Sequence, residues 1–257
     1  MKTKFLLFLL TIFIVSSCES QNIKDLLLDQ EEIYDLSGSY IIWEMDEGSD
    51  GLTTDLSGNG NHGAYNPTFT ALTSVYKKLG TRAWYNFGSN DYSVSNTSSL
   101  SDITNYTVSV WWYGNVSSSD GQSLLWVLGG TDAAIITENT IDPSKNDLTF
   151  GTSLGGGYQI TSTIEYAFSD LVWNHIVIVR TPSYSKGYIN GVLAFNLSFG
   201  SNLVDLENRH FYLAYYSVTD FVGHGIWDQT CVWLRVVDEP SLDYLNNDNN
   251  GRLSINW

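Results

Sequence analysis

The clearest pattern lies between Tyr106 and Tyr113, where Val108, Val110 and Trp112 alternate with Thr107, Ser109, Trp111 and Tyr113. Side chains on a strand point alternately to opposite faces, so this segment predicts a strand with an apolar face and a mixed aromatic–hydroxyl face. Comparable segments recur along the chain. Strands are expected at Tyr40–Trp43, Ala83–Phe87, Asp91–Ser95, Ser123–Leu128, Asn174–Arg180, Phe211–Tyr216 and Thr230–Val237. Tyr188-Ile189 and Val192–Phe195 flank Asn190-Gly191, a pair that favours the type I′ turn of a tight hairpin. The stretch Glu239–Leu245, with Pro240 in its first turn, predicts one short helix. No repeat or heptad appears. Many short strands separated by turn residues predict an all-β, two-sheet antiparallel sandwich with one C-terminal helix.

The N-terminus follows a different pattern. Lys2 and Lys4 precede Phe5–Val15, an apolar run broken only by Thr11. Its length suits the apolar core of a secretory signal and falls short of a membrane span. Val15-Ser16-Ser17-Cys18 resembles the bacterial lipobox, in which the signal is cut before a cysteine that is then acylated. Residues 1–17 are therefore expected to be a signal peptide. Residues 18–38 are expected to be a tether anchored through lipid on Cys18, and 39–257 the sandwich. With Cys18 acylated, Cys231 has no intramolecular partner. It lies in the apolar run Cys231–Leu234 and suits a small core residue.

Composition narrows the field. The 257 residues fit one large β domain, and the 14% aromatic content favours strands. Acids outnumber bases 28 to 12; removing residues 1–17 takes away two lysines and no acid, leaving a formal charge of −18. Such a chain is repelled by nucleic acid and by anionic surfaces.

Several segments stand out together: Trp43–Gly48 with Asp55-Leu56-Ser57-Gly58-Asn59-Gly60-Asn61-His62-Gly63, Phe87–Val94, Tyr106–Trp111, Trp173–Val177 with Tyr188-Ile189-Asn190-Gly191, and Gly225–Asp228. In this order they resemble the laminin-G-like, concanavalin A-like group of jelly-roll sandwiches. The likeness runs from residue 40 to about residue 247. It implies two packed antiparallel sheets, one of them concave. Members commonly bind glycans, and some are enzymes. It also implies a structural calcium, whose ligands carry over to Asp46, Gly88 and Asp228.

For a glycan, the best lead is the companion face of the central strand. Thr107, Ser109, Trp111 and Tyr113 interleave hydroxyls with flat rings, which suits sugar hydroxyls and C–H faces. Trp111 has an alternative as a packed residue under a covering loop. Trp126 is a further candidate, and 115–122, 131–146 and 153–158 read as loops that could rim a cleft. The turn Asp55–Gly63 reads as mainly structural, because its polar side chains suit local backbone bonds. His62, His175, His210 and His224 are isolated, which disfavours zinc. Glu44-Met45-Asp46-Glu47 fails as an acid set, since Glu47 falls on the opposite face from Glu44 and Asp46. No catalytic residue is assigned. The expectation is a non-catalytic, surface-exposed, carbohydrate-binding lipoprotein of a Gram-negative outer membrane. The alternatives are a glycoside hydrolase or polysaccharide lyase on the same fold, and a protein-binding adhesion module.

Overall fold

The computed structural model describes residues 36–46, 52–66, 72–73, 76–86, 93–96, 103–114, 116, 122–128, 132–153, 158–198, 210–213, 225–247 and 251. They belong to one compact unit, Leu36–Trp257. Of the signal and tether expected at 1–38, residues 1–35, with Cys18, lie outside the described residues.

The strands are β1 Ser39–Trp43, β2 Leu52–Thr53, β3 Gly63–Asn66, β4 Leu72–Thr73, β5 Ala83–Asn86, β6 Ser93–Asn96, β7 Tyr106–Tyr113 and β8 Gln122–Leu128. They continue with β9 Asp132–Glu138, β10 Lys145–Ser153, β11 Tyr158–Ser169, β12 Trp173–Arg180, β13 Tyr184–Ile189, β14 Val192–Ser198, β15 Phe211–Leu213 and β16 Gly225–Trp233. A helix α1, Glu239–Asn246, follows. Two antiparallel sheets result. One has the order β14-β13-β12-β7-β16-β5-β4, with β1 also paired to β16; the other has β11-β10-β9-β8-β15-β6-β3-β2. The expected two-sheet antiparallel sandwich with a C-terminal helix is what the chain forms. The stretch 131–146, expected to be a loop, instead contains β9 and the turn into β10.

Alternation builds the core. Val108, Val110 and Trp112 of β7 join Ile176, Ile178, Trp227 and Val232 on the inner face of the first sheet. Trp126, Ala134, Ile136, Leu148, Phe150 and Phe211 meet them from the second sheet. Asn190 and Gly191 take φ values of 53° and 78°, the double positive-φ turn expected between β13 and β14.

A second apolar layer covers the outside of the first sheet. Helix α1 lays Leu242 and Leu245 with Val177, Val179, Tyr188, Cys231 and Trp233. Asp238 caps the helix, its side chain accepting from the Ser241 amide, and Pro240 sits in the first turn. Cys231 is therefore buried, as expected of a small core residue. The Asp55–Gly63 turn is held by bonds within itself and to β1. Asp55 accepts from the amides of Ile42, Ser57 and Asn61, and Asn59 and Asn61 donate to β1 carbonyls.

The two ends of the first sheet differ. Register places Tyr113 opposite Trp173 and Ile226, and Thr107 opposite Val179 and Trp233. Leu36 lies at the Trp233 end, where its carbonyl accepts from Trp233 Nε1 at 3.0 Å. The chain thus enters at one end of the central strands, and Tyr113 stands at the other.

Candidate functional site

Thr107, Ser109 and Trp111 point away from the inter-sheet core as expected, but they are buried. Thr107 Oγ1 donates to the Arg235 carbonyl and accepts from the Val237 amide, which ties it to the segment leading into α1. Ser109 Oγ lies 2.8 Å from His175 Nε2. Trp111 is sandwiched: the His175 ring stacks at 4.8 Å, and the Lys78 ammonium sits 4.3 Å from the indole centroid. Gly251 packs so close that a β-carbon there would lie 3.0 Å from Leu79 and 3.2 Å from Trp111 Nε1. Thr107, Ser109 and Trp111 are therefore not an open sugar platform. The side chain of Lys78 and the backbone of Gly251 close it.

Trp126 is corrected as well. It is fully buried between the sheets, edge-on to Tyr106 and tilted against Phe150 and Phe211. Its strand has a register shift between Leu124 and Trp126, which changes the parity that alternation alone would assign.

Burial sets the electrostatics around Trp111. His175 is driven down to about 3, first by desolvation and then by the charge of Lys78, so it is neutral at ordinary pH. Burial also lowers Lys78, against the attraction of Asp228. Asp228 rises to about 7 because desolvation outweighs the amide donors that pull it down, with nearby Asp46 adding to the rise. For His175 the folded value lies below the unfolded one. Its contribution is therefore intact above the unfolded value, near pH 6.5, and is lost as pH falls toward 3. Replacing His175 with glutamine removes that loss. The stability gap between parent and variant is expected to narrow by about 1.4 kcal/mol per pH unit as pH falls below 6.5. Urea melts at several pH values measure it, and a constant gap would contradict a buried neutral imidazole.

Of the expected ligand set, Tyr113 alone remains partly accessible. It is the centre of a three-ring ledge at the end of the first sheet. Tyr76, 51% exposed, stacks on it with centroids 5.7 Å apart. Trp173, its partner across β12, tilts against it at 5.5 Å. Next to Trp173, the turn carries Leu171 and Val172 at 55% and 50% exposure, and Leu171 has a positive φ of 54°. Sequence reasoning missed Tyr76, which lies outside any strand. Trp173 carried a signal, since it precedes the β-branched run of β12, but it was read only as part of a family motif.

The calcium expectation rests on Asp46, Gly88 and Asp228, of which Gly88 lies outside the described residues. The other two face donors. Asp228 Oδ2 accepts from the amides of Lys78 and Leu79, each at 2.8 Å, and Oδ1 from that of Gln229. Asp46 Oδ1 accepts from the amides of Thr81 and Arg82 at 2.6 and 2.8 Å. A hard cation needs six to eight oxygens turned toward it. With both Asp228 oxygens and Asp46 Oδ1 committed to amide donors, the pair does not fit that cage, and among the described residues no three His, Cys, Asp or Glu side chains cluster for a metal.

Residues 87–240 match the family model described as the concanavalin A-like lectin/glucanases superfamily. The chain belongs to that superfamily. No curated protein matches it. Among solved structures, this superfamily member resembles the binding domain of botulinum neurotoxin DC in complex with rat synaptotagmin II, with a TM-score of 0.55 at 12% identity, over 82% of this chain and 51% of that one. It also resembles domain 4 of AbnA, an extracellular arabinanase from Geobacillus stearothermophilus, in complex with arabinotriose, with a TM-score of 0.54 at 14% identity, over 84% of this chain and 99% of that one. A third is a botulinum neurotoxin type C structure whose cell entry depends on two ganglioside molecules, with a TM-score of 0.52 at 12% identity, over 82% and 51%. The chain spans about half the length of the neurotoxin domains, and at such identities the likeness is one of fold.

Proposed function

We propose that this lectin/glucanase-superfamily chain is a non-catalytic, cell-surface lipoprotein that binds a neutral carbohydrate on the ledge of Tyr76, Tyr113 and Trp173. The observation that carries the reading is the ledge itself: three contiguous rings at the end of the first sheet, beside the covered Trp111, with Tyr76 open to solvent. Aromatic faces stack on the C–H face of a sugar, while tyrosine hydroxyls meet its polar rim. The arabinotriose-bound and ganglioside-dependent neighbours support a glycan as the ligand class. The acidic charge disfavours polyanionic chains.

The exported, Cys18-lipidated, outer-membrane part of the proposal rests on the charged and apolar N-terminus and on Val15–Cys18. The position of Leu36, at the end of the central strands opposite the ledge, supports that reading.

Calorimetric titration with neutral oligosaccharides, arabinotriose among them, tests the proposal. Saturable binding is expected without product release, and Tyr76→Ala is expected to weaken it about tenfold, the equivalent of roughly 1.4 kcal/mol of lost ring contact. Equal affinity in parent and variant would sink the site. A second reading, a protein-docking module, is favoured by Leu171 and Val172, which hold apolar side chains in solvent beside the ledge. Capture of a partner that free sugar cannot displace would support it instead.

A further inference from the structure

The loop that carries Tyr76 is fastened in an unusual way. Four amides within five residues, those of Lys78, Leu79, Thr81 and Arg82, donate to two carboxylates from separate parts of the chain. Asp228 lies in β16, and Asp46 follows β1. The loop also brings a full positive charge. The Lys78 ammonium lies over Trp111 and is attracted to Asp228. Gly80, at φ +54°, lets the backbone pass so near Asp46 that a β-carbon would collide with the carboxylate. Backbone amides pointing into a concave loop form a fixed, partly positive surface for oxygen anions. Charge-assisted bonds of this kind are stronger than those between neutral groups. Three of the four carboxylate oxygens, both of Asp228 and Oδ1 of Asp46, are turned to N–H groups of the protein.

We propose that the Lys78–Arg82 stretch does for Asp46 and Asp228 what a divalent cation would do, pinning the loop from within and thereby holding Tyr76 against Tyr113. Asp46 and Asp228 are then positioning residues for the ledge, and the arrangement works without metal. Its consequence for ligand affinity rests on the glycan reading above; its consequence for the loop does not.

Amide hydrogen exchange on the intact protein separates the two. In excess EDTA and in millimolar calcium chloride, the amides of Lys78, Leu79, Thr81 and Arg82 are expected to be equally protected, with the same melting temperature. Asp228→Asn places an NH2 group where an oxygen accepted two amides, and Asp46→Asn removes the charge at the second anchor. Each is expected to speed exchange of the amides it holds by roughly tenfold or more. Asp46 is the more accessible of the two, so its variant keeps the test alive if Asp228→Asn fails to fold. In Asp46→Asn the near-ultraviolet circular dichroism of the Tyr76–Tyr113 stack is expected to weaken with the far-ultraviolet spectrum retained, a signature that a general loss of stability does not give.

A melting temperature raised by calcium, or exchange in Asp46→Asn slowed again by calcium, would overturn the proposal. So would equal exchange in parent and variants. If arabinotriose and the other sugars do not bind while the amides behave as described, the glycan reading falls and the anchor stands.

Discussion

Replacing Asp132 with alanine is expected to destabilise the sandwich by about 3–5 kcal/mol. Asp132 stands on β9, in the second sheet, and its Oδ2 reaches across the core to the first. There it meets Arg180 Nε of β12 at 2.6 Å and accepts from Tyr106 Oη of β7 at 2.6 Å. All three side chains are buried. Desolvation and the Asp132 charge hold the Tyr106 hydroxyl well above its ordinary range, so it stays a donor. Without the carboxylate, the buried Arg180 charge loses the ion pair that Asp132 supplies. The cost of keeping that charge in the core, more than the lost attraction, sets the size of the effect. The double variant Asp132→Leu with Arg180→Met removes both charges and is expected to lie close to the parent. Urea unfolding of the single and double variants measures both. A single-variant loss below about 1 kcal/mol would show that the charge escapes to solvent.

Trp227→Ala is expected to cost about as much, roughly 3–5 kcal/mol from cavity formation alone. The indole is fully buried, packs 4.9 Å from the Trp84 ring, and donates from Nε1 to the Leu125 carbonyl of the opposite sheet at 3.2 Å. Alanine leaves that carbonyl without this donor and opens a void between the sheets. For a unit of this size the melting temperature should fall by about 10 °C. Trp227→Phe keeps much of the volume and loses the donor, so it is expected to recover more than half of the loss. Scanning calorimetry distinguishes the two. Equal shifts for Ala and Phe would mean that packing contributes little at this position.

Local pattern carried a good deal of this fold. The β7 alternation, the Asn190-Gly191 turn and Pro240 at the start of α1 each express a preference of neighbouring residues, and each appears where the pattern placed it. β9 and β10 were harder to see. Ala133, Thr149 and Gly151 dilute their apolar residues, so that composition resembled loop while alternation, at Ala134, Ile136, Leu148 and Phe150, still marked a strand. The binding face failed for a deeper reason. Period-two spacing tells which side of a sheet a residue faces, and Trp111 does face outward. It says nothing of what lies above. The cover comes from Lys78, far upstream, and Gly251, far downstream, through contacts that no local rule contains. The ledge likewise depends on Tyr76 meeting Tyr113 across a long stretch of chain.

Having the chain's entry and the ring ledge at opposite ends has a mechanical consequence. A ligand pulling on the ledge while the N-terminal side is held would load β1, β16, β7 and β12 along their length. Their antiparallel ladders would then resist sliding as sets of bonds strained together, the geometry that withstands tension better than peeling one pair at a time.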